Sequence, residues 1–241
     1  MELQKETISS SSSHGRWYGD ACGAAFAMEL LGERWTLLVL RELMLGPRRF
    51  SGLRASLPGI SAKVLTERLE RLERAGLLVR TMLPPPASMQ AYELTEWGRE
   101  TEPIMQAMGR WAVRSPEHDP TLPLTPVAAM LALRTMLRPE RAAGLALNAD
   151  FAFGHERFAA RLADGSLHVV RAQAPTPGAE LAIGAATPGA MLLWIFGKRP
   201  LEEVSRETGL VVEGDRDLAE RFAAAFALPP RIGARAAPSK S

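Results

Sequence analysis

The sequence predicts an α+β protein of two units: a helical first half ending in a β-hairpin, then a second half in which strands form an antiparallel sheet flanked by helices. Three observations predict it. An amphipathic segment with marked ends, ISAKVLTERLERLERAGLL, is followed by two short strand-like runs. A polar, proline-rich stretch, SPEHDPTLPLTP, then interrupts the periodic pattern as a linker would. Beyond it, strand-like runs around an Asp-Gly pair alternate with apolar helical runs. The length of 241 residues exceeds the usual single domain and favours two cores. With 46% hydrophobic and 23% charged residues, the composition is that of a folded globular protein rather than a disordered one.

Within the first half, Phe26, Leu30 and Leu31 and then Trp35, Leu38, Val39 and Leu43 recur at helical spacing, with Gly32 between the two sets. Two helices or one bent helix follow. Gly46 and Pro47 stop this run, and Arg49 to Leu57 supplies a short helix that Pro58 and Gly59 end. The next helix is expected over Ala62 to Ala75. Ser61 is its N-cap and Ile60 packs on Leu65 as a hydrophobic staple. Gly76 takes the left-handed position after its end, and Leu77 touches Leu72 in a Schellman motif. Leu65, Leu69 and Leu72 bury one stripe, so Lys63, Thr66, Glu67, Glu70 and Arg74 face away from it.

Leu77 to Leu83 and Gln90 to Leu94 then read as strands around PPPASM, a proline-stiffened protruding tip. Helix, helix, hairpin is a winged helix-turn-helix order, in which the capped helix enters a major groove and the hairpin reaches the adjacent backbone or minor groove. Thr95 caps a longer helix with apolar Trp97, Ile104, Met105, Met108, Trp111 and Ala112. These are more than one small module covers, so Ile104, Met105, Met108 and Trp111 are assigned to a subunit interface. Pro103 either bends this helix or marks the end of a short helix at Thr101 or Glu102.

Charge distribution points the same way. The net charge of +2 is too small to imply a polyanionic partner, but residues 34–80 carry ten basic and four acidic side chains. Residues 115–241 balance 14 basic against 14 acidic and offer no comparable field. Double-stranded DNA is therefore the expected partner of the first half. Ser61, Lys63 and Thr66 lie early on the outer face of the capped helix, where side chains reach base edges and phosphates. Arg48, Arg49 and Ser51 open the preceding helix and suit phosphate clamping, with Arg68 and Arg80 as further phosphate candidates. Glu67 accepts from a cytosine, pairs with Lys63 or repels phosphate. Arg71 and Arg74 are read as structural.

The ordered runs LGERWTLLVLRELMLGPRRFSGL, LPGISAKVLTERLERLERAGLL and YELTEWG, with an early cysteine, resemble the HxlR-type winged-helix transcriptional regulators, a branch close to the MarR-like proteins. The resemblance covers about Cys22 to Val113. It implies a homodimer on a roughly palindromic operator, with half-sites about 10 bp apart. Some regulators that this chain resembles sense oxidants at a cysteine in the position of Cys22. Read from its apolar neighbours alone, Cys22 is instead a buried small hydrophobe. As the sole cysteine it forms no intramolecular disulfide, which together with the absence of a signal peptide gives a cytoplasmic expectation.

In the second half, TPVAAMLALRTML reads as a helix, and ALNADFAFG, HERFAARLA, SLHVVRA and AELAIGA as strands. TPGAMLLWIFG is an apolar helix, GLVVEGD a strand and RDLAERFAAAF a final amphipathic helix. This order resembles a sterol-carrier-protein-like lipid-binding domain over about Thr125 to Leu228. The resemblance implies an apolar cavity beneath the sheet, lined by Phe151, Phe153, Phe158, Met191, Trp194, Ile195 and Phe222 and open to an apolar small-molecule ligand. The same residues read equally as a filled core, the commoner use of such a stripe. The expected organisation is a disordered tail over 1–20, the winged-helix unit over 21–114, a linker over 115–124, the second unit over 125–228 and a flexible tail over 229–241.

No nucleophile with a base, metal-ligand spacing or phosphate-binding loop is visible, so neither enzyme activity, a cofactor nor a metal is expected. His14, His118, His155 and His168 are scattered. The rival reading is a lipid-binding or interaction protein that uses the winged helix mainly to dimerise.

Overall fold

The structure is a computed structural model and describes residues 18–84 and 88–233. The first half opens with α1 (Gly23–Leu31) and α2 (Thr36–Leu43). They are separate helices, because Trp35 takes a left-handed φ of 78° between them. A bulky residue rarely adopts that conformation. Its ring lies over Gly59 and packs against the core of the first half.

Helices α3 (Phe50–Ser56) and α4 (Ala62–Arg74) follow. Both ends of α4 are formed as its sequence demands. The Ser61 hydroxyl accepts the Val64 amide at 3.2 Å. At the other end the Leu77 amide donates to Leu72 and the Gly76 amide to Glu73, with Gly76 at φ 77°, the two bonds of a Schellman ending. Ile60, Leu65, Leu69, Leu72 and Leu77 are all buried in one cluster with Val39, Leu40, Leu43 and Leu53.

Strands β1 (Leu78–Met82) and β2 (Gln90–Leu94) pair antiparallel, Leu78 opposite Leu94 and Met82 opposite Gln90. Part of the expected PPPASM tip, residues 85–87, lies outside the described residues. The hairpin leads into α5 (Glu96–Arg99) and α6 (Thr101–Ala112). The short helix thus ends before Thr101, slightly earlier than either expected position, and Pro103 sits in the first turn of α6, where its missing N–H leaves no helical bond unmade. Thr95 caps α5, accepting the Gly98 amide at 3.0 Å while donating to the Gly76 carbonyl at 2.7 Å.

The second half begins with α7 (Pro126–Met136), capped by Thr125. Five strands follow: β3 (Leu147–Phe153), β4 (Glu156–Ala163), β5 (Ser166–Ala172), β6 (Leu181–Ala185) and β7 (Val211–Gly214). They lie in the order β5-β4-β3-β6-β7. The sheet is antiparallel, as expected, at every pair except β3–β6, where β6 runs parallel to β3. The parallel step is made by the connection 173–180 after β5, which crosses to the far side of β3 rather than turning the chain back on itself. Asp164 and Gly165, both at positive φ, make the tight β4–β5 turn. Between β6 and β7 lie the expected α8 (Gly189–Ile195) and α9 (Leu201–Thr208), a helix not read from the sequence. The chain closes with α10 (Arg216–Ala224), capped by Asp215.

Each half has its own apolar cluster, and the two meet at Met44 and Leu45 beyond the end of α2. Helix α6 packs along α7, where Arg134 pairs with Glu102 at 3.1 Å. Among the described residues, no helix is long and apolar enough to cross a membrane.

Candidate nucleic-acid interface

Burying Leu65, Leu69 and Leu72 fixes the rotation of α4, so Ser61, Lys63, Thr66, Glu67, Glu70 and Arg74 are exposed along its outer side. The N-terminal part of that face carries a hydroxyl, an ammonium and a second hydroxyl within two turns. Among the described residues neither Lys63 nor Glu67 has a side-chain partner, so of the alternatives for Glu67 the pairing with Lys63 is not formed and the ammonium is free for an external anion.

One helix earlier, Arg49 is the N-cap residue of α3 and Ser51 is exposed in its first turn. Arg49 is half-buried, yet its guanidinium has no ion-pair partner among the described residues. Arg54, exposed on the same helix and equally unpartnered, was not singled out from the sequence. The available signal was the lack of any acidic residue three or four positions from it.

Three of the arginines assigned to phosphate are held by the protein itself. Arg48 points away from the outer surface. Its guanidinium bonds Glu42 at 3.1 Å and Glu156, from the second half, at 2.7 Å, and only 11% of its side chain is exposed. Arg68 shares a side of α4 with Arg71 and turns back onto the α1–α2 connection, where it pairs with Glu33 and donates to the Arg34 carbonyl at 3.2 Å. Arg71 pairs with Glu29 and Glu33, the structural role expected of it. Arg80 pairs with Glu73 at 3.1 Å and lies over the Tyr92 ring, but half of its side chain stays exposed on the hairpin.

Cys22 differs from its reading as a buried hydrophobe. It is exposed at the start of α1, and the Ala25 and Ala24 amides there hold its thiol below the ordinary value. Ile104, Met108 and Trp111 form an exposed apolar stripe on α6, Trp111 at 73%, continued by exposed Trp97, whereas Met105 is half-buried. The opposite face of α6 is taken by α7, with Gly109 close to Thr135. Phe151, Phe153, Phe158, Met191, Trp194, Ile195 and Phe222 are all buried members of the second core. The Phe222 ring stands 6.2 Å from Phe151 and 4.9 Å from Phe226.

A polar cluster links the halves. Glu42 is fully buried and meets Arg41, Arg48 and the Thr125 hydroxyl, the last at 2.7 Å. Glu156 meets Arg48 and, at 2.6 Å, Arg171. Burial opposes ionisation of Glu156, but the bonds and charges of Arg171 and Arg48 outweigh it and hold the carboxyl below its ordinary value.

A family model described as HxlR-like helix-turn-helix matches residues 30–119. The uncharacterized HTH-type transcriptional regulator YvaP of Bacillus subtilis is 37% identical over 86 residues, 36% of this chain and 80% of that protein. The uncharacterized regulator sll1512 of Synechocystis is 42% identical over 90 residues, 37% of this chain and 67% of that protein. The HTH-type transcriptional regulator YodB of Bacillus subtilis is 41% identical over 86 residues, 36% of this chain and 77% of that protein. A solved structure of reduced YodB matches 42% of this chain and 100% of its own at 37% identity, with a TM-score of 0.37. With four-fifths of YvaP matched at this identity, the chain belongs to the HxlR-like helix-turn-helix family of DNA-binding transcriptional regulators.

Proposed function

We propose that the chain acts as a homodimer that lays α4 in the major groove of a roughly palindromic operator, with the β1–β2 hairpin on the neighbouring backbone. The observation that carries this reading is the unpartnered charge of Lys63 and Arg49 beside the exposed hydroxyls of Ser61, Thr66 and Ser51. Ser61, Lys63 and Thr66 serve base edges and nearby phosphates. Arg49, Ser51 and Arg54 serve the backbone, and Arg80 reaches it from the hairpin. Arg48 and Arg68 are withdrawn from the phosphate-contacting set, since each has its charge met within the protein. The Ile104–Met108–Trp111 stripe, with Trp97, supports the dimer, because its apolar side chains are otherwise left in water.

The succession of hairpin, parallel strand, apolar helix, strand and final helix supports assigning the second half to a sterol-carrier-protein-like domain. The mutual packing of Phe151, Phe222 and Phe226 favours a core role for the seven side chains over a standing ligand cavity. Exposure of Cys22 and its lowered pKa favour a reactive thiol there over a packing role.

Substituting Lys63→Ala with Arg49→Ala tests the interface. Each lost phosphate contact lowers the slope of log affinity against log salt by about 0.9, and the dimer loses two in each subunit, so a flattening of about 3.6 is expected together with weaker duplex binding. Unchanged affinity and slope in the double variant would remove the assignment of α4 and α3 to DNA.

A further inference from the structure

Arg48 sits where three parts of the molecule converge. It directly precedes Arg49, the N-cap residue of α3. Its backbone forms a two-bond bridge to Tyr92 of the hairpin, Arg48 N–H to the Tyr92 carbonyl at 2.9 Å and Tyr92 N–H to the Arg48 carbonyl at 2.8 Å. Its guanidinium reaches out of the winged-helix unit to Glu156, the first residue of β4. One residue thus fixes the start of α3 to the hairpin through its main chain and both to the second half through its side chain.

The anchor on the far side is stiff. Glu156 is buried and is also gripped by Arg171, whose guanidinium lies 5.3 Å from the centre of the Phe158 ring. Two further nitrogens of Arg171, Nε and Nη2, are buried without hydrogen-bond partners among the described residues. An arginine so poorly served elsewhere depends on Glu156 to balance its charge, which keeps that carboxylate ionised and in place. Arg48 meets a second buried carboxylate, Glu42, which is tied to the Thr125 cap of α7. This cluster crosses the boundary at the Arg48–Glu156 ion pair and at the Thr125–Glu42 hydrogen bond, in addition to the separate Arg134–Glu102 pair.

We propose that Glu156 is a positioning residue for DNA binding: acting through Arg48, it sets the start of α3 and the root of the hairpin relative to α4. Glu156 itself touches no DNA. The second half thereby holds the reading head in its binding geometry. This rests on the proposed interface of α3, α4 and the hairpin, which the Lys63→Ala, Arg49→Ala variant tests separately.

The test is a double-mutant cycle in the full chain with Glu156→Gln, Arg48→Met and both, each checked for a folded transition and titrated with operator duplex across salt concentrations. Each single change is expected to weaken operator binding about tenfold, within the coupling that residues sharing one network show, and the double variant no further. The salt slope stays at the parent value throughout, because no phosphate contact is removed. If Glu156→Gln lowers thermal stability but not operator affinity, or if its effect is undiminished when Arg48 is already Met, the proposal is overturned. A slope flattened by about 1.8 in Arg48→Met alone, one contact from each subunit, would also overturn it, by making Arg48 a phosphate contact. Arg48→Met reads the same link from the other side, so a Glu156→Gln chain that did not fold would leave the expected tenfold loss still to be met or missed. A parent chain without operator binding would instead remove the interface reading itself.

Discussion

Single cationic side chains decide what this surface can do, and they divide by whether a carboxylate reaches them. Lys63, Arg49 and Arg54 keep their charge for an outside partner, whereas Arg48, Arg68 and Arg71 spend theirs on Glu42, Glu156, Glu29 and Glu33. Glu42 is the most constrained of these acids, at 0% exposure with three partners. Glu42→Ala removes one of the two carboxylates that balance buried Arg48 and is expected to cost about 2 to 3 kcal/mol, read as a lowered midpoint in denaturant unfolding. A loss under about 1 kcal/mol would mean that the cluster is hydrated and behaves as a surface pair. The distinction between free and occupied arginines is where the sequence was hardest to read. Arg48 and Glu156 are 108 positions apart, and no local pattern announces that they meet. Arg68 likewise has no acid three or four positions away and is claimed by Glu33 across the fold.

At the scale of elements, local chemistry was far more legible. The Ser61 cap, the Gly76 ending and the Leu65–Leu69–Leu72 stripe all act within one helix, so the bounds and rotation of α4 follow from neighbours in the chain. The YELTEWG run is explained the same way once the packing is known. A Cβ on Gly98 would stand 2.0 Å from the Leu77 carbonyl oxygen, so only glycine lets α5 lie against the end of α4. Gly98→Ala is expected to cost about 1 to 3 kcal/mol, since the obstacle is backbone that cannot swing aside. Thermal melting that left the midpoint unmoved would show that α5 shifts freely. In the second half the turn at Asp164 and Gly165 was legible from its two residues, but the parallel pairing of β6 with β3 was not, because it depends on where the crossover 173–180 lands. Helix α9 escaped notice because it is short and buries a single residue, Val204.

The whole molecule is two cores joined at Met44 and Leu45, tied by a buried charge cluster and by α6 lying on α7. That arrangement leaves the outer face of α4 and the apolar stripe of α6 uncovered, the two surfaces to which the proposed function assigns DNA and a second copy of the chain. It also makes the second half part of the frame that holds the winged helix, through Glu156 and Thr125. The most direct measurement is a titration of the full chain against duplex from its own upstream region, with scrambled duplex as competitor, repeated across salt concentrations and read for stoichiometry. Operator recognition by a dimer is expected to show two chains per operator, preference over the scrambled duplex, and affinity that falls steeply with salt as counterions are released. Equal affinity for both duplexes at every salt concentration would contradict it.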